Sequence, residues 1–167
     1  MATPEEKRIV VIATDGSDHS DYAFDYYLQH VRKENDSVCL VNVPESYDLT
    51  LASPATVDSI VKDLKKKLKI IEDKSAKKIQ ENKLHGKFRT GQGKPGEVIC
   101  QLAKEEKADL IVIGTRGLGK IRRTFLGSVS DFVVHHADMP VLVCRQETKG
   151  KHDDKEKQQK EKQQKKA

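Results

Sequence analysis

The sequence of 167 residues has no apolar run close to the roughly 20 residues that a helix needs to cross a lipid bilayer. Residues 1–6 also lack the basic-then-apolar pattern of a secretion signal. From these two absences we expect a cytoplasmic protein that makes no contact with a membrane.

Cysteine is scarce as well. The three cysteines are Cys39, Cys100 and Cys144, and no two of them have the CxxC spacing of a metal or redox site. Each lies within or beside an apolar run, so we interpret them as small buried hydrophobic residues in a reducing compartment.

Most of the sequence lacks an excess of charge of either sign. Residues 149–167 contain eight lysines against four acidic residues, whereas residues 1–148 contain 23 basic and 22 acidic residues. The net charge of +5 therefore belongs mostly to the C-terminal segment, and we expect no specific nucleic-acid binding by the rest. Because residues 149–167 are rich in Lys, Glu and Gln and almost without apolar side chains, they are predicted to be a disordered tail.

Five predicted strands alternate with four predicted helices in the remaining sequence. The strands are predicted at residues 7–14, 38–43, 87–90, 109–114 and 140–144. Such alternation is typical of an α/β fold, with a parallel sheet that has helices on both faces. The short polar third strand is predicted at a sheet edge.

Apolar spacing predicts which helical faces are buried. In the first helix the buried face is predicted to contain Ala23, Tyr26, Tyr27 and Val31 or His30. A loop is predicted over residues 44–54, followed by a long helix. The apolar stripe of this helix comprises Val57, Ile60, Val61, Leu64, Leu68, Ile71 and Ile79. We interpret its lysines at positions 62, 65, 66, 67 and 69 as a solvent-exposed outer face.

Two glycine motifs match known nucleotide-binding patterns incompletely. Residues 91–96 read GxGxxG, but the next strand lacks the terminal acidic residue that holds a ribose in dinucleotide sites. Residues 114–120 read GxxxxGK, but Ile121 replaces the Ser or Thr that binds Mg²⁺ in a P-loop. Neither a dinucleotide site nor a kinase-like P-loop is therefore favoured.

A third pattern uses the loop between the fourth strand and the last helix. Gly114, Gly117, Gly127 and Ser128 follow the spacing G-x2-G-x9-G-S. Glycines let backbone amides turn inwards, and a helix N-terminus adds unpaired donors and partial positive charge, so this loop can surround a phosphate. The alternative is a glycine-rich connector in which the serine caps the helix.

The sequence resembles the ATP-binding branch of the universal stress protein family. The matching segments are residues 9–17, 108–117, 127–130 and 139–143, and the resemblance covers about residues 7–146. It implies a nucleotide-binding domain over residues 1–148 with strand order 3-2-1-4-5. It also implies that Asp15 bonds the ribose, that the end of the second strand packs on adenine, and that the glycine loop holds the phosphates. The implied nucleotide-binding residues are Ala13, Asp15, Val41, Val43, Ile113, Gly114, Arg116, Gly117, Gly127, Ser128, Val129 and Ser130.

The function implied by this resemblance is an ATP-binding stress-response or signalling module that acts as a nucleotide-dependent switch. Slow hydrolysis or phosphotransfer and a nucleotide-independent interaction module are the alternatives. No acidic residue lies between Gly114 and Ser130, which disfavours efficient hydrolysis. Mg²⁺ or Mn²⁺ is the candidate metal, with no ligands assigned. The resemblance also implies a homodimer, formed through the fifth strand at Val141, Leu142, Val143, Cys144 and Arg145.

Overall fold

The computed structural model describes residues 7–44, 46–47, 49–115 and 126–146. The strands in this part of the chain are β1 (Arg8–Ala13), β2 (Asp36–Asn42), β3 (His85–Thr90), β4 (Leu110–Gly114) and β5 (Val141–Cys144). The helices are α1 (Asp18–Tyr26), α2 (Pro54–Glu81), α3 (Pro95–Glu105) and α4 (Ser128–His136), and one π-helical turn, Tyr27–Val31, continues α1. All neighbouring strands are parallel, in the order β3-β2-β1-β4-β5. The predicted α/β fold and strand order are confirmed.

The central strands are buried on both faces, as their continuous apolar runs predict. On one face, Val11 and Ile111 of the sheet pack with Leu102 of α3 and Val133 of α4. On the other face, the sheet packs against α1 and its π-helical turn. Two apolar cores thus fix the helices on opposite sides of the sheet, which leaves the strand ends as the place for a ligand.

The buried face of α1 differs from the prediction at one position. Ala23 and Tyr27 are buried, but Tyr26 is 36% exposed and Phe24 is buried instead. The Phe24 ring packs in the core and also lies 4.5 Å below the Lys78 ammonium of α2. α1 therefore contacts both the sheet and α2, so its buried surface is wider than one helical stripe.

The long helix α2 starts inside the segment that was predicted as loop. Ser53 caps its N-terminus by accepting a hydrogen bond from the Thr56 amide, and Pro54 occupies the first turn. Of its 28 residues only Ser75 is fully buried. The helix is attached to the body through its second half, where Lys74 and Lys78 both bond the Asp21 carboxylate of α1.

A charged network ties the start of β1 to the start of β2. The buried Asp36 accepts hydrogen bonds from Arg8 at 2.6 and 2.7 Å, from the Tyr27 hydroxyl at 2.8 Å and from the Lys33 amide at 2.9 Å. Burial alone would raise the pKa of Asp36, but these bonds outweigh burial and hold it below its usual value. The network lies at the amino ends of the strands, away from the edge where β1 and β4 end.

The cysteines are free, and two of them match the interpretation as hydrophobic core residues. Cys39 and Cys144 are buried, and burial raises the pKa of both thiols to about 11. Cys100 is half-buried, and burial also raises its pKa. The predicted disorder of residues 149–167 concerns a segment outside the described residues. Among the helices of the described residues, none is long and apolar enough to cross a membrane.

Candidate functional site

A cleft of about 400 Å³ opens at the carboxyl ends of the strands. β1 and β4 are neighbours at the centre of the sheet, and the chain leaves them towards opposite edges, since β2 lies beside β1 and β5 beside β4. In open α/β sheets a ligand crevice forms at this switch in strand order. The cleft lies between the ends of these two strands, the end of β2, α2 and the first turn of α4.

Asp15 lies two residues after the end of β1, in the wall of the cleft. The amide and hydroxyl of Ser17 both donate to Oδ1 of Asp15, the amide at 3.0 Å. Gly16 has a φ of +79°, the left-handed conformation that glycine adopts without strain, and it brings Ser17 back towards the carboxylate. Ser17 in turn caps α1. The turn fixes one carboxylate oxygen, and no described residue donates to the other, Oδ2, so Oδ2 can accept from a ligand.

Gly114 lies at the end of β4 and has a packing reason to be glycine. A Cβ at this position would lie 2.7 Å from the carbonyl oxygen of His19. The backbone of α1 therefore approaches β4 so closely that no side chain fits between them. The start of α1 therefore lies next to the start of the glycine loop.

The two ends of the glycine loop are joined by hydrogen bonds to the carbonyl oxygen of Thr115. The Gly127 amide donates to this oxygen at 2.7 Å, and the Ser130 hydroxyl lies 3.3 Å from it. Ser130 is 2% exposed, and its hydroxyl also donates to the Gly127 carbonyl at 2.9 Å. The structure thus brings the Gly127 end of the predicted loop next to the end of β4.

The N-terminus of α4 faces the cleft without a side-chain cap. Gly127 occupies the capping position, and Ser128 is the first helical residue rather than the cap. The first bond of the helix runs from the Asp131 amide to the Gly127 carbonyl at 2.9 Å. The amides of Ser128, Val129 and Ser130 precede that bond and have no partner among the described residues. Together they form an end of partial positive charge that can bind an anion. The alternative interpretation of this loop, a glycine-rich connector in which the serine caps the helix, is therefore wrong about the cap.

The floor of the cleft and its wall on the β2 side are mainly apolar. Ala13, Val41 and Ile113 are buried, Val43 is half-buried, and all four line the cleft. Asn42 was not predicted as a site residue, although it also lines the cleft and is 3% exposed. Its amide donates to the Thr14 carbonyl at 2.7 Å and so joins the ends of β1 and β2. A polar residue at the end of an apolar strand is the sequence signal that could have identified it.

One further wall of the cleft comes from α2 and was missed by the sequence analysis. Leu64, Lys67, Leu68 and Ile71 of this helix line the cleft. The interpretation of Lys67 as part of a solvated outer face is therefore incomplete, since its exposed side chain borders the cleft. The signal was present in the spacing, because Lys67 lies three residues after Leu64 and four before Ile71 and so shares their face.

Several predicted features lie outside the described residues. Arg116 and Gly117, together with the neighbouring Lys120, Arg122 and Arg123, belong to the segment 116–125, which is not described. In the described ranges, no group of three or more His, Cys, Asp or Glu side chains is placed to hold a metal ion.

β5 lies at the edge of the sheet, as predicted. Val141, Leu142 and Val143 are half-buried, Cys144 is buried and Arg145 is exposed. The Ile111 amide donates to the Pro140 carbonyl and the Thr115 amide to the Cys144 carbonyl. In a parallel ladder this pattern directs the amides of Val141 and Val143 to the free edge.

Comparison with known proteins identifies a family match along nearly all of the folded chain. The sequence model of the universal stress protein family matches residues 7–145. A relative from Thermus aquaticus, the universal stress protein in the QAH/OAS sulfhydrylase 3′ region, is 34% identical over 142 residues, which cover 83% of this chain and 98% of the relative.

Two solved structures in this family are similar in fold and have nucleotides bound. A universal stress protein family protein from Arabidopsis thaliana with AMP bound has a TM-score of 0.62 at 25% identity, covering 84% of this chain and 93% of that chain. A universal stress protein in complex with cAMP has a TM-score of 0.60 at 26% identity, covering 83% of this chain and 97% of that chain.

Proposed function

This chain belongs to the universal stress protein family, and from the geometry of its cleft we propose that it is a stress-response module that binds an adenine nucleotide. ATP is the proposed occupant, and its presence or absence is the proposed signal to partner proteins.

The observation that carries this proposal is the pair of polar groups within one cleft. The uncapped N-terminus of α4 offers backbone amides to an anion, and Asp15 offers a free carboxylate oxygen. A nucleotide carries the complementary groups, since its phosphates accept hydrogen bonds and its ribose hydroxyls donate them. The apolar end of β2 supplies a surface for the base, and the volume of about 400 Å³ suits a small molecule.

The bound AMP and cAMP of the two related structures support an adenine nucleotide as the ligand class. Both ligands carry one phosphate, so the proposal of ATP depends on other features of this chain. These are the complete G-x2-G-x9-G-S spacing and the four cationic residues of segment 116–125, which suit a longer phosphate chain.

We propose binding rather than turnover as the main activity. Hydrolysis requires a positioned water and a group that orients or activates it. The loop from Gly114 to Ser130 contains no acidic residue, and the imidazoles of His135 and His136 lie in the last turn of α4, bonded to carbonyls of their own helix. A slow ATPase remains the alternative, and multiple-turnover assays at the ~10 s⁻¹ of a median enzyme would contradict the binding module.

The direct test is to denature the purified full chain and analyse the released small molecules by chromatography and absorbance. We expect adenine nucleotide, and we expect calorimetry on the stripped protein to show tighter binding of ATP than of AMP. Repeating the titration with Mg²⁺, with Mn²⁺ and with EDTA tests the candidate metal. A stripped protein that binds neither ATP, AMP nor cAMP would refute the proposed function.

A further inference from the structure

We propose that α2 closes one side of the nucleotide cleft and that Lys67 on this helix contacts the phosphates of the bound nucleotide. This inference rests on the proposed function and adds to it a residue that selects for the number of phosphates. It starts from the wall that α2 contributes to the cleft, which the glycine pattern does not include.

The two halves of α2 have different surroundings. In the second half, Lys74 and Lys78 bond Asp21, and Ser75 is buried. Ile71 lies between the part of α2 that packs on the body and the part that borders the cleft. Its Cγ1 is 3.3 Å from the position that a Cβ on Gly16 would occupy. Residues before Ile71 extend past the turn that follows β1, so this half of the helix borders the cleft.

Lys67 lies about one helical turn before Ile71 and on the same face. Because Ile71 packs against the turn that contains Asp15 and Gly16, Lys67 lies at the level of the cleft just beyond that turn. Leu64 and Leu68 flank it on the cleft side. The Lys67 side chain is exposed, so its long stem leaves the ammonium group able to reach an anion bound in the cleft.

The two described charged side chains that line the cleft do not pair with each other, so both are available to a ligand. Among the described residues that line the cleft, Asp15 is the only acidic side chain and Lys67 the only basic one. They do not form an ion pair, and no described acidic side chain lies within ion-pair distance of Lys67. Lys67 and the uncapped N-terminus of α4 line the same cleft, and both favour a negatively charged ligand.

The test compares Lys67→Met with Lys66→Met in calorimetric titrations of the full chain with ATP, AMP and adenosine. Methionine keeps the apolar stem and removes the charge, and Lys66 is the exposed neighbour that does not line the cleft. For Lys67→Met we expect about tenfold weaker binding of ATP, about threefold weaker binding of AMP and unchanged binding of adenosine, because charge-assisted bonds need the phosphates. Lys66→Met should leave all three affinities within about twofold.

A second variant distinguishes the effect of the Lys67 charge from the effect of the apolar wall that α2 contributes to the cleft. Leu68→Ala removes apolar contact, so it should weaken adenosine and ATP by the same factor. Equal losses for adenosine and ATP in Lys67→Met, or no loss at all, would overturn the phosphate contact while the wild type still binds nucleotide. If the wild type binds none of the three ligands, the proposed function fails instead, and this inference with it.

Discussion

Asp15 has both a structural role in the turn after β1 and a proposed role in binding the ribose. The Asp15-Gly16-Ser17 turn has a structural role, because Oδ1 accepts from Ser17 and Ser17 caps α1. Asp15 also lines the cleft, and its Oδ2 accepts no hydrogen bond from a described residue. The two roles use different oxygens of one carboxylate, so a suitable substitution can separate them.

The substitution Asp15→Asn tests the ribose contact. Asparagine retains an oxygen for Ser17 but replaces the free carboxylate oxygen with an amide donor, so we expect about 10- to 100-fold weaker binding of ATP. The measurement is calorimetry with ATP and with 2′,3′-dideoxy-ATP. The dideoxy compound should bind the wild type more weakly, and the variant should no longer distinguish the two nucleotides.

Asp18→Asn is the matched control for this prediction, since Asp18 is an exposed acidic residue of the same helix start that does not line the cleft. Its ATP affinity should equal that of the wild type. If Asp15→Asn reduces the affinity for both nucleotides by the same factor, Asp15 does not contact the ribose hydroxyls.

At the scale of secondary-structure elements, β5 combines a predicted role with a structure that allows it. Its Val141 and Val143 amides are directed to the free edge, while the carbonyls of Pro140 and Cys144 bond β4. A half-buried apolar edge strand can pair with a second copy of the same strand. We therefore propose that the chain forms a homodimer through Val141 to Arg145.

The substitution Val143→Pro tests the dimer, because proline removes an edge amide without removing a bond to β4. We expect light scattering at micromolar concentration to give a dimeric mass for the wild type and for Val143→Ala, which keeps the amide. Val143→Pro should be monomeric with a circular dichroism spectrum like that of the wild type. A monomeric wild type would rule out the proposed dimer.

The helices and strands also show what the sequence could predict. The apolar runs of β1, β2, β4 and β5 predicted these strands, because buried parallel strands have continuous apolar sequences. The strand order followed from the family resemblance. The burial of Phe24 could not be predicted from helical spacing, since it results from the contact of α1 with α2 as well as with the sheet. Lys67 was missed for a similar reason, because lysines in a charged helix usually face solvent and only the position of α2 brings this one to the cleft.

At the scale of the whole molecule, stability and binding are located at opposite ends of the sheet. The Asp36 network joins β1, β2 and the turn after α1 at the amino ends of the strands. The cleft lies at the carboxyl ends. Changes to the Asp36 network should therefore alter the free energy of unfolding without altering nucleotide affinity.

The Asp36 network predicts a dependence of stability on pH. The folded pKa of Asp36 lies below its unfolded value of about 4, so its contribution is complete above about pH 4 and is lost as the pH falls through the folded pKa. Asp36→Asn should lower the free energy of unfolding by about 3 kcal/mol at pH 7, because it leaves Arg8 without its partner.

Urea denaturation at several pH values measures this effect, with the exposed Asp58→Asn as the control. The difference between the wild type and Asp36→Asn should shrink as the pH falls below about 4. A difference that stays constant down to pH 2 would show that the Asp36 carboxylate does not carry the effect.

The central claim is that the uncapped N-terminus of α4 binds phosphate, and Ser128→Pro tests it most directly. Proline is tolerated at the first helical position, and Gly127, with φ −65° and ψ 152°, already has the extended conformation favoured before proline. The substitution thus removes one unpaired amide and leaves the helix intact, whereas Ser128→Ala removes only the hydroxyl. In calorimetric titrations with ATP we expect about 10- to 100-fold weaker binding for Ser128→Pro and at most about threefold for Ser128→Ala. Wild-type affinity in a correctly folded Ser128→Pro would contradict the account.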